Sequence, residues 1–237
     1  MNKRALIALA ASTAALAVPA SASAAVSEIA PLGTTAAGCP GFTEAECLIV
    51  VVRQTGFQAK VGTTSGFSTA PTDGTVVGWS ISLAGVAADK LKTVSANYGG
   101  APRAAVVVME PLGKSQFKVV GKGPLIDLTS YLGTTPTFAL PTALPIKKGQ
   151  VVGITVPTWA PMISTGLAAD TSWRSSKPLK EVVAKEFRTQ RALVGDNVTG
   201  SFAALYQRAR LAYSAVFIPN PPTKTLPKAT PKPTTKK

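Results

Sequence analysis

The amino-acid sequence predicts an all-β protein, an antiparallel β-sandwich of jelly-roll-like form with at most one short helix. Three observations predict it. Most apolar segments alternate with a period of two, as strands with one face on a core do. Two further runs, residues 48–52 and 104–109, are apolar throughout and rich in β-branched residues, as central strands are. Turn-forming clusters separate these segments at short intervals, among them Pro71-Thr72-Asp73-Gly74, Tyr98-Gly99-Gly100 and Lys147-Lys148-Gly149.

Taken along the chain, the elements are as follows. Residues 48–52 form a central strand and 57–61 a shorter one. In 75–83, Val77, Trp79, Ile81 and Leu83 share a face opposite Gly78, Ser80 and Ser82. Residues 104–109 form the second central strand, followed by shorter candidates at 116–120 and 137–140. In 151–156, Val152, Ile154 and Val156 alternate with Gly153 and Thr155. In 210–218, Leu211, Tyr213, Ala215 and Phe217 oppose Arg210, Ala212 and Ser214. One stretch departs from this period. Residues 177–193 carry Leu179, Val182, Val183 and Phe187 at helical spacing among charges, which predicts a helix or an ordered loop. Eight or more short strands with little helix make a sandwich, and the length fits one domain.

The two ends read differently. Lys3 and Arg4 precede an Ala/Leu-rich apolar stretch from Ala5 to Val18, then Pro19 and a run of small residues. This is the order of a Sec-type signal peptide, residues 1–24, cleaved after Ala24 with Ala22 as the alternative. No twin arginine occurs and no Cys stands at the cleavage point to take a lipid. Removal leaves 213 residues and, without Lys3 and Arg4, lowers the net charge from +14 to +12. Residues 25–37 read as a linker, 38–218 as the sandwich, and 219–237 as a disordered tail. The tail holds six prolines, no acid and five lysines, Lys224, Lys228, Lys232, Lys236 and Lys237. Nothing in it can bury enough surface to offset ordering. The expected location is extracellular or cell-wall associated. In that oxidising setting Cys39 and Cys47 are expected to form a disulfide. A redox-active pair would need C-x-x-C spacing, which is absent.

Composition removes many chemistries. With no His there is no imidazole base and no His-ligated metal, and two Cys cannot build a Cys₄ zinc site or a cluster. No metal or other cofactor is expected. Leu112-Gly113-Lys114-Ser115 imitates the end of a phosphate-binding loop, but Val108 stands where the first glycine belongs, so a hairpin turn is expected. Arg174 lies three before Lys177, where a Ser–Lys motif would need serine. The carboxylates from Glu44 to Asp196 leave open a glycan hydrolase or lyase using two acids across a cleft. Most of them lie beside lysine or arginine or in turns, where a solvated role is the plainer reading. No catalytic residue is assigned.

Trp79 lies on the apolar face of its strand and belongs to the core. Trp159, in the stiff stretch Pro157-Thr158-Trp159-Ala160-Pro161, and Trp173, before Arg174, are candidates for an exposed sugar-stacking surface. Trp159, Trp173 and Arg174 are therefore the candidate ligand-binding residues, the plain alternative being loop tryptophans folded over a sandwich edge.

The segments PTDGTVVGWSISL, TFALPTALPIKKGQVVGITVP, TSWRSSK and ARLAYSAVFIPNP resemble a group of uncharacterised secreted bacterial proteins with jelly-roll-like or carbohydrate-binding-module-like sandwiches. The resemblance spans about residues 38–220. It implies architecture and carries over no ligand-binding residue. Basicity adds that the chain is attracted to polyanions without sequence-specific nucleic-acid recognition. The plain alternative is a solubilising charge. No membrane insertion is expected once the signal is cleaved. The expected function is non-catalytic: a binding or structural component of the cell envelope, with an anionic wall polymer or glycan as partner and the tail lysines as polyanion contacts.

Overall fold

In the computed structural model the described residues are 25–34, 36–39, 41–43, 46–176 and 197–221. Ala104 to Met109 are fully buried on both sides of their strand and mark the centre of the fold. They lie in β5 (Arg103–Gly113), within a nine-stranded sheet. Its order runs β12 (Thr199–Ser201), β6 (Gln116–Lys122), β5, β9 (Val151–Ala160), β2 (Val51–Val61), β11 (Ser172–Ser175) and β13 (Ala204–Gln207). The short β3 (Thr64–Ser65) joins β2, and β7 (Ile126–Asp127) joins β5. A four-stranded sheet runs β1 (Ser27–Ile29), β15 (Tyr213–Pro219), β4 (Gly74–Ile81) and β8 (Thr137–Ile146). A separate pair joins β10 (Ile163–Ser164) to β14 (Arg210–Leu211). Every pair of named strands is antiparallel. The protein is an all-β antiparallel sandwich.

Alternation on β5 separates two apolar clusters. Ala104, Val106 and Val108 join Val152, Ile154 and Val156 of β9 in the main core, with Trp79, Ile81, Tyr213 and Phe217 of the four-stranded sheet. Val107 and Met109 point to the other face, where they meet Phe57, Val119, Val151 and Phe202. The nine-stranded sheet is thus apolar on both faces near its middle, which accounts for the unbroken apolar run of β5.

Prolines and bulges correct the sequence-based face assignments. Trp79, Ile81 and Leu83 enter the core as the alternation requires, but Val76 does so in place of Val77. Against β15, Val216 pairs with Gly78 and Phe217 with Val76, so Val77 is an extra residue and the phase shifts there. Residues 48–52 and 57–61 are not two strands: β2 runs unbroken from Val51 to Val61. The supposed loop 157–161 is largely strand, since β9 continues to Ala160. Opposite Arg53 of β2, β9 carries one residue more than its partner, at Pro157 and Thr158. A bulge needs no ladder donor there, so proline is tolerated.

The boundaries also move. Residues 25–37, expected as a linker, contain β1, which pairs with β15, and Ile29 is buried in the core. Arg210 fastens this segment: its Nη2 donates to the Pro31 carbonyl while its guanidinium lies 5.2 Å from the centre of the Phe67 ring. At the other end β15 reaches Pro219, and the Asn220 amide donates to the Asp73 carbonyl, so the fold runs past residue 218.

The single α-helix among the described residues is α1 (Ala88–Tyr98), a segment to which the sequence reading assigned no helix. Leu91, Val94, Ser95 and Tyr98 form a half-buried stripe, and Gly99, at φ +92°, ends the helix. The Tyr98-Gly99-Gly100 turn is its C-terminal cap. The predicted element at 177–193 lies outside the described residues, as do residues 1–24 and the five tail lysines.

Candidate functional site

Strand β11 divides the candidate ligand-binding residues between two faces, because successive side chains of a strand point oppositely. Trp173 turns toward the main core and is only 2% exposed. Its indole stacks on Tyr206 of β13, centroids 4.3 Å apart and planes 12° from parallel. Arg174, half-buried, lies opposite Phe57 of β2 in the ladder. Trp159 is fully buried on β9, and its Nε1 donates to the Gly100 carbonyl at 2.9 Å. Neither Trp159 nor Trp173 is an exposed stacking surface. The first is closed in by the bulged end of β9 and the turn after α1, the second by its cross-strand tyrosine. Trp79 is buried, packed 5.0 Å from Phe138.

Arg174 is the one of the three candidates that borders open space on the far face of the large sheet. There it lines a groove of about 360 Å³ together with Phe57, Phe117, Pro111 and Ser115. Its Nη1 donates to the Phe202 carbonyl at 3.2 Å, which fixes the guanidinium and, among the described residues, leaves most of its donors without a protein acceptor. Among the described residues it has no carboxylate partner; elsewhere an ion pair joins Arg103 to Asp127 at 3.9 Å.

The groove floor is aromatic. The Phe57 ring lies 4.9 Å from Phe117 and 5.8 Å from Phe202, and Phe117 meets Phe202 edge-on at 5.1 Å. Phe202 is held in place by its amide, which donates to the Ser115 carbonyl at the β5–β6 hairpin. Phe57 and Phe202 are buried, whereas Phe117 is half-buried and presents its ring to the groove. Lys114 and Lys148, both exposed, are the chain neighbours of Ser115 and Gly149 on the rim. Glu110 neighbours Pro111 but lies opposite Lys118 in the ladder. Lys114 and Ser115 take φ of +49° and +60° in the turn between β5 and β6, so Leu112-Gly113-Lys114-Ser115 lies at a hairpin, as its sequence predicts.

The described acids stand elsewhere. Glu28, Glu46, Asp73, Asp89, Glu110, Asp127 and Asp170 are all exposed, and none lines the Arg174 groove. Hydrogen bonds from the Thr43 amide and hydroxyl hold the Glu46 carboxyl below its ordinary range, and those from the Thr129 hydroxyl and amide do so for Asp127. Both are stabilised as carboxylates, the opposite of what a general acid needs. Among the described residues no three Asp, Glu or Cys side chains gather in a group that could hold a metal ion. Cys39 and Cys47 are bonded, with Cα atoms 6.1 Å apart.

Sequence reasoning named Arg174 and missed its aromatic neighbours. Phe57, Phe117 and Phe202 come from strands and a loop far apart in the chain, and it is the sheet order β12-β6-β5-β9-β2-β11 that brings them together beside Arg174. Their local patterns show strands, not a shared floor. No family model matches the chain, and comparison with curated proteins and with solved structures gives no match.

Proposed function

We propose that the chain is a secreted, non-catalytic binding protein of the cell envelope whose Arg174 groove takes an anionic saccharide. The observation that carries this reading is a guanidinium that has no carboxylate partner among the described residues, beside a half-buried phenyl ring, in an open groove. A planar guanidinium matches a carboxylate or phosphate through paired hydrogen bonds. An aromatic face offers apolar contact to the C–H face of a sugar ring. Together they recognise a ring that carries both an apolar face and an acid. The net charge, with Lys114 and Lys148 beside the rim, draws such polymers toward the groove. The signal-like N-terminus and the Cys39–Cys47 bond support export.

Calorimetric titration of the chain from Ala25 with oligogalacturonate, glycerol-phosphate oligomers and neutral cello-oligosaccharides tests this reading. An acidic ligand is expected to bind and the neutral one to bind weakly or not at all. Arg174→Ala is expected to lower affinity for the acidic ligand by about tenfold or more, and Arg174→Lys to restore only part of it. Binding of none of the three, or acidic-ligand binding unchanged in Arg174→Ala, would reject it.

A further inference from the structure

The C-terminal segment leaves the fold at the rim of the Arg174 groove. Asp73 makes the connection. Its carbonyl accepts from the Asn220 amide at 2.9 Å, and its carboxylate from the Lys148 amide at 2.8 Å. Asn220 and Pro221 are exposed and are the last described residues. Gly149, next to Lys148, lines the groove, as does Thr69. The turn that bears Gly149 is fixed in place, because the Gly149 amide donates to the Ala70 carbonyl and the Ala70 amide to that of Gln150. The end of β15 and the edge of the groove are thus joined through one residue.

Charge decides what the emerging segment can do at that rim. The sixteen residues after Pro221 carry five lysines and no acid. The groove offers them no partner, since no described acid lines it and Arg174 does. Lys147 and Lys148, both exposed, stand beside the exit, and the Asp73 carboxylate there already accepts from the Lys148 amide. A cationic tail is repelled by a cationic groove, so the two are suited to a third body of opposite charge. Covalent geometry sets the reach. Lys224, three residues beyond Pro221, lies within about 11 Å of it, and sixteen residues span at most about 58 Å. The groove itself, at about 360 Å³, has room for a short ligand only.

We propose that groove and tail form one two-part site for an anionic polymer. Arg174 and Phe117 take a short acidic stretch, and the polymer runs out over the Gly149 rim, where the tail lysines pair with its next acids. This rests on the saccharide reading of the groove and adds that the partner is a chain of repeated acids, not a free sugar acid. Once the groove holds the polymer, the tail meets it as a tethered neighbour. Its effective concentration is then set by the tether and not by the concentration of protein. The gain belongs only to ligands long enough to leave the groove, and a separate tail peptide does not supply it. It shrinks as salt rises, because exposed charge pairs are screened.

The probes are galacturonate oligomers of two and twelve units and glycerol-phosphate oligomers of the same two lengths. Each is titrated calorimetrically into the chain from Ala25 and into the same chain ended after Pro221. A longer ligand offers more registers to both proteins alike, so the quantity read is the ratio of their affinities at each length. For the series that the groove binds, the ratio is expected to stay within about twofold for the short ligand. For the long one it is expected to reach about tenfold or more at low salt, and to fall toward the short-ligand value as salt rises. A peptide of residues 222–237 added to the truncated protein is expected to restore less than about twofold. In ¹⁵N spectra of the full chain, the short ligand is expected to shift the Ser115, Phe117 and Arg174 amides and leave the tail lysine amides in place. The long ligand is expected to shift those of Gly149 and the tail as well. If neither short ligand binds, or one binds without moving the groove amides, the saccharide reading fails and the two-part site with it. If a short ligand moves the groove amides but the ratio is the same at both lengths, that reading stands and the two-part site is overturned. Full rescue by the free peptide would overturn it too. Should the shortened chain not fold, Lys→Gln at all five tail lysines of the full-length chain gives the same comparison.

Discussion

Gly56 and Trp173 are in contact across β2 and β11, so close that a methyl group on Gly56 would stand 2.9 Å from the indole Cζ3 and 3.0 Å from the Arg174 carbonyl oxygen. The glycine lets the indole lie flat on the sheet beside Tyr206. It therefore lets β11 lie close to β2 at this point, with Arg174 on the other side of the same strand.

Gly56→Ala is accordingly expected to destabilise the fold by roughly 1–3 kcal/mol, because both neighbours are fixed: one by its ring stack, the other as backbone in a ladder. Gly149→Ala is not a fair control, since its φ of +86° strains any side chain. A better one is Ala59→Gly on the same strand, where no close neighbour is lost beyond a methyl group. Urea denaturation of the two variants checks the difference. A Gly56→Ala protein as stable as the wild type would mean that the indole can move without cost.

The Tyr213 hydroxyl sets a second expectation. It donates to the Val152 carbonyl at 2.8 Å and lies 3.0 Å from the Ser68 hydroxyl, joining the two sheets through the core. Complete burial pushes its pKa up to about 12. A tyrosine in the unfolded chain titrates near 10, so between about pH 10 and 12 the unfolded state holds fewer protons and folding stability falls as pH rises. Below that window the contribution is fully present. Tyr213→Phe is expected to cost about 1–3 kcal/mol at neutral pH by leaving the Val152 carbonyl unpaired. It is also expected to flatten the alkaline fall in melting temperature. A variant with the same alkaline slope as the wild type would assign that slope to other groups.

The Cys39–Cys47 bond closes a short loop beside the parallel bridge of Gly38 to Ser164. In the chain-entropy account a loop of this length contributes roughly 2–3 kcal/mol. Intact mass of the non-reduced protein is expected to be about 2 Da below the dithiol value, one hydrogen lost from each thiol. A Cys39→Ser/Cys47→Ser protein is expected to melt several degrees lower while keeping the sandwich, since the pair fastens an edge and not the centre. A free-thiol mass would remove this prediction altogether.

How much of this was legible in the sequence depends on whether the signal is local. The alternation of Val152, Ile154 and Val156 is local, and the structure puts all three in the core. Trp79 was placed correctly for the same reason. Val77 was not, because the bulge that shifts its phase comes from register against β15, which no single strand encodes. Trp159 was read as a loop residue since two prolines flank its segment, yet a bulge opposite Arg53 absorbs Pro157 and the strand continues. Helix α1 was missed because its apolar stripe is only half-buried, so its residues are mostly polar or small. Trp173 was read as surface because polar residues surround it in sequence, but what covers it is Tyr206, 33 positions later. Of the groove, Arg174 was visible as a charge beside an aromatic residue. Its phenyl floor is assembled by pairing alone.

The tail gives the last prediction, and the fold sets where it must be cut. Pro219 pairs with Gly74 and the Asn220 amide donates to the Asp73 carbonyl, so truncation after Ile218 would strip the C-terminal end of β15. Truncation after Pro221 keeps both contacts and still removes all five tail lysines. Melting is then expected to shift little. Removing five positive charges is expected to weaken retention on isolated cell walls or an anionic column, and to flatten the decline of retention with salt, because fewer counterions are exchanged. Arg174→Ala in the full chain is expected to do the reverse: a large loss for acidic oligosaccharide and little change in the salt slope, since a single fixed guanidinium contributes little to the total charge. Comparing both variants from low to physiological salt separates long-range attraction from recognition in the groove. Equal retention of the truncated and full chains at every salt concentration would show that the tail lysines serve only solubility and that envelope binding belongs to the sandwich.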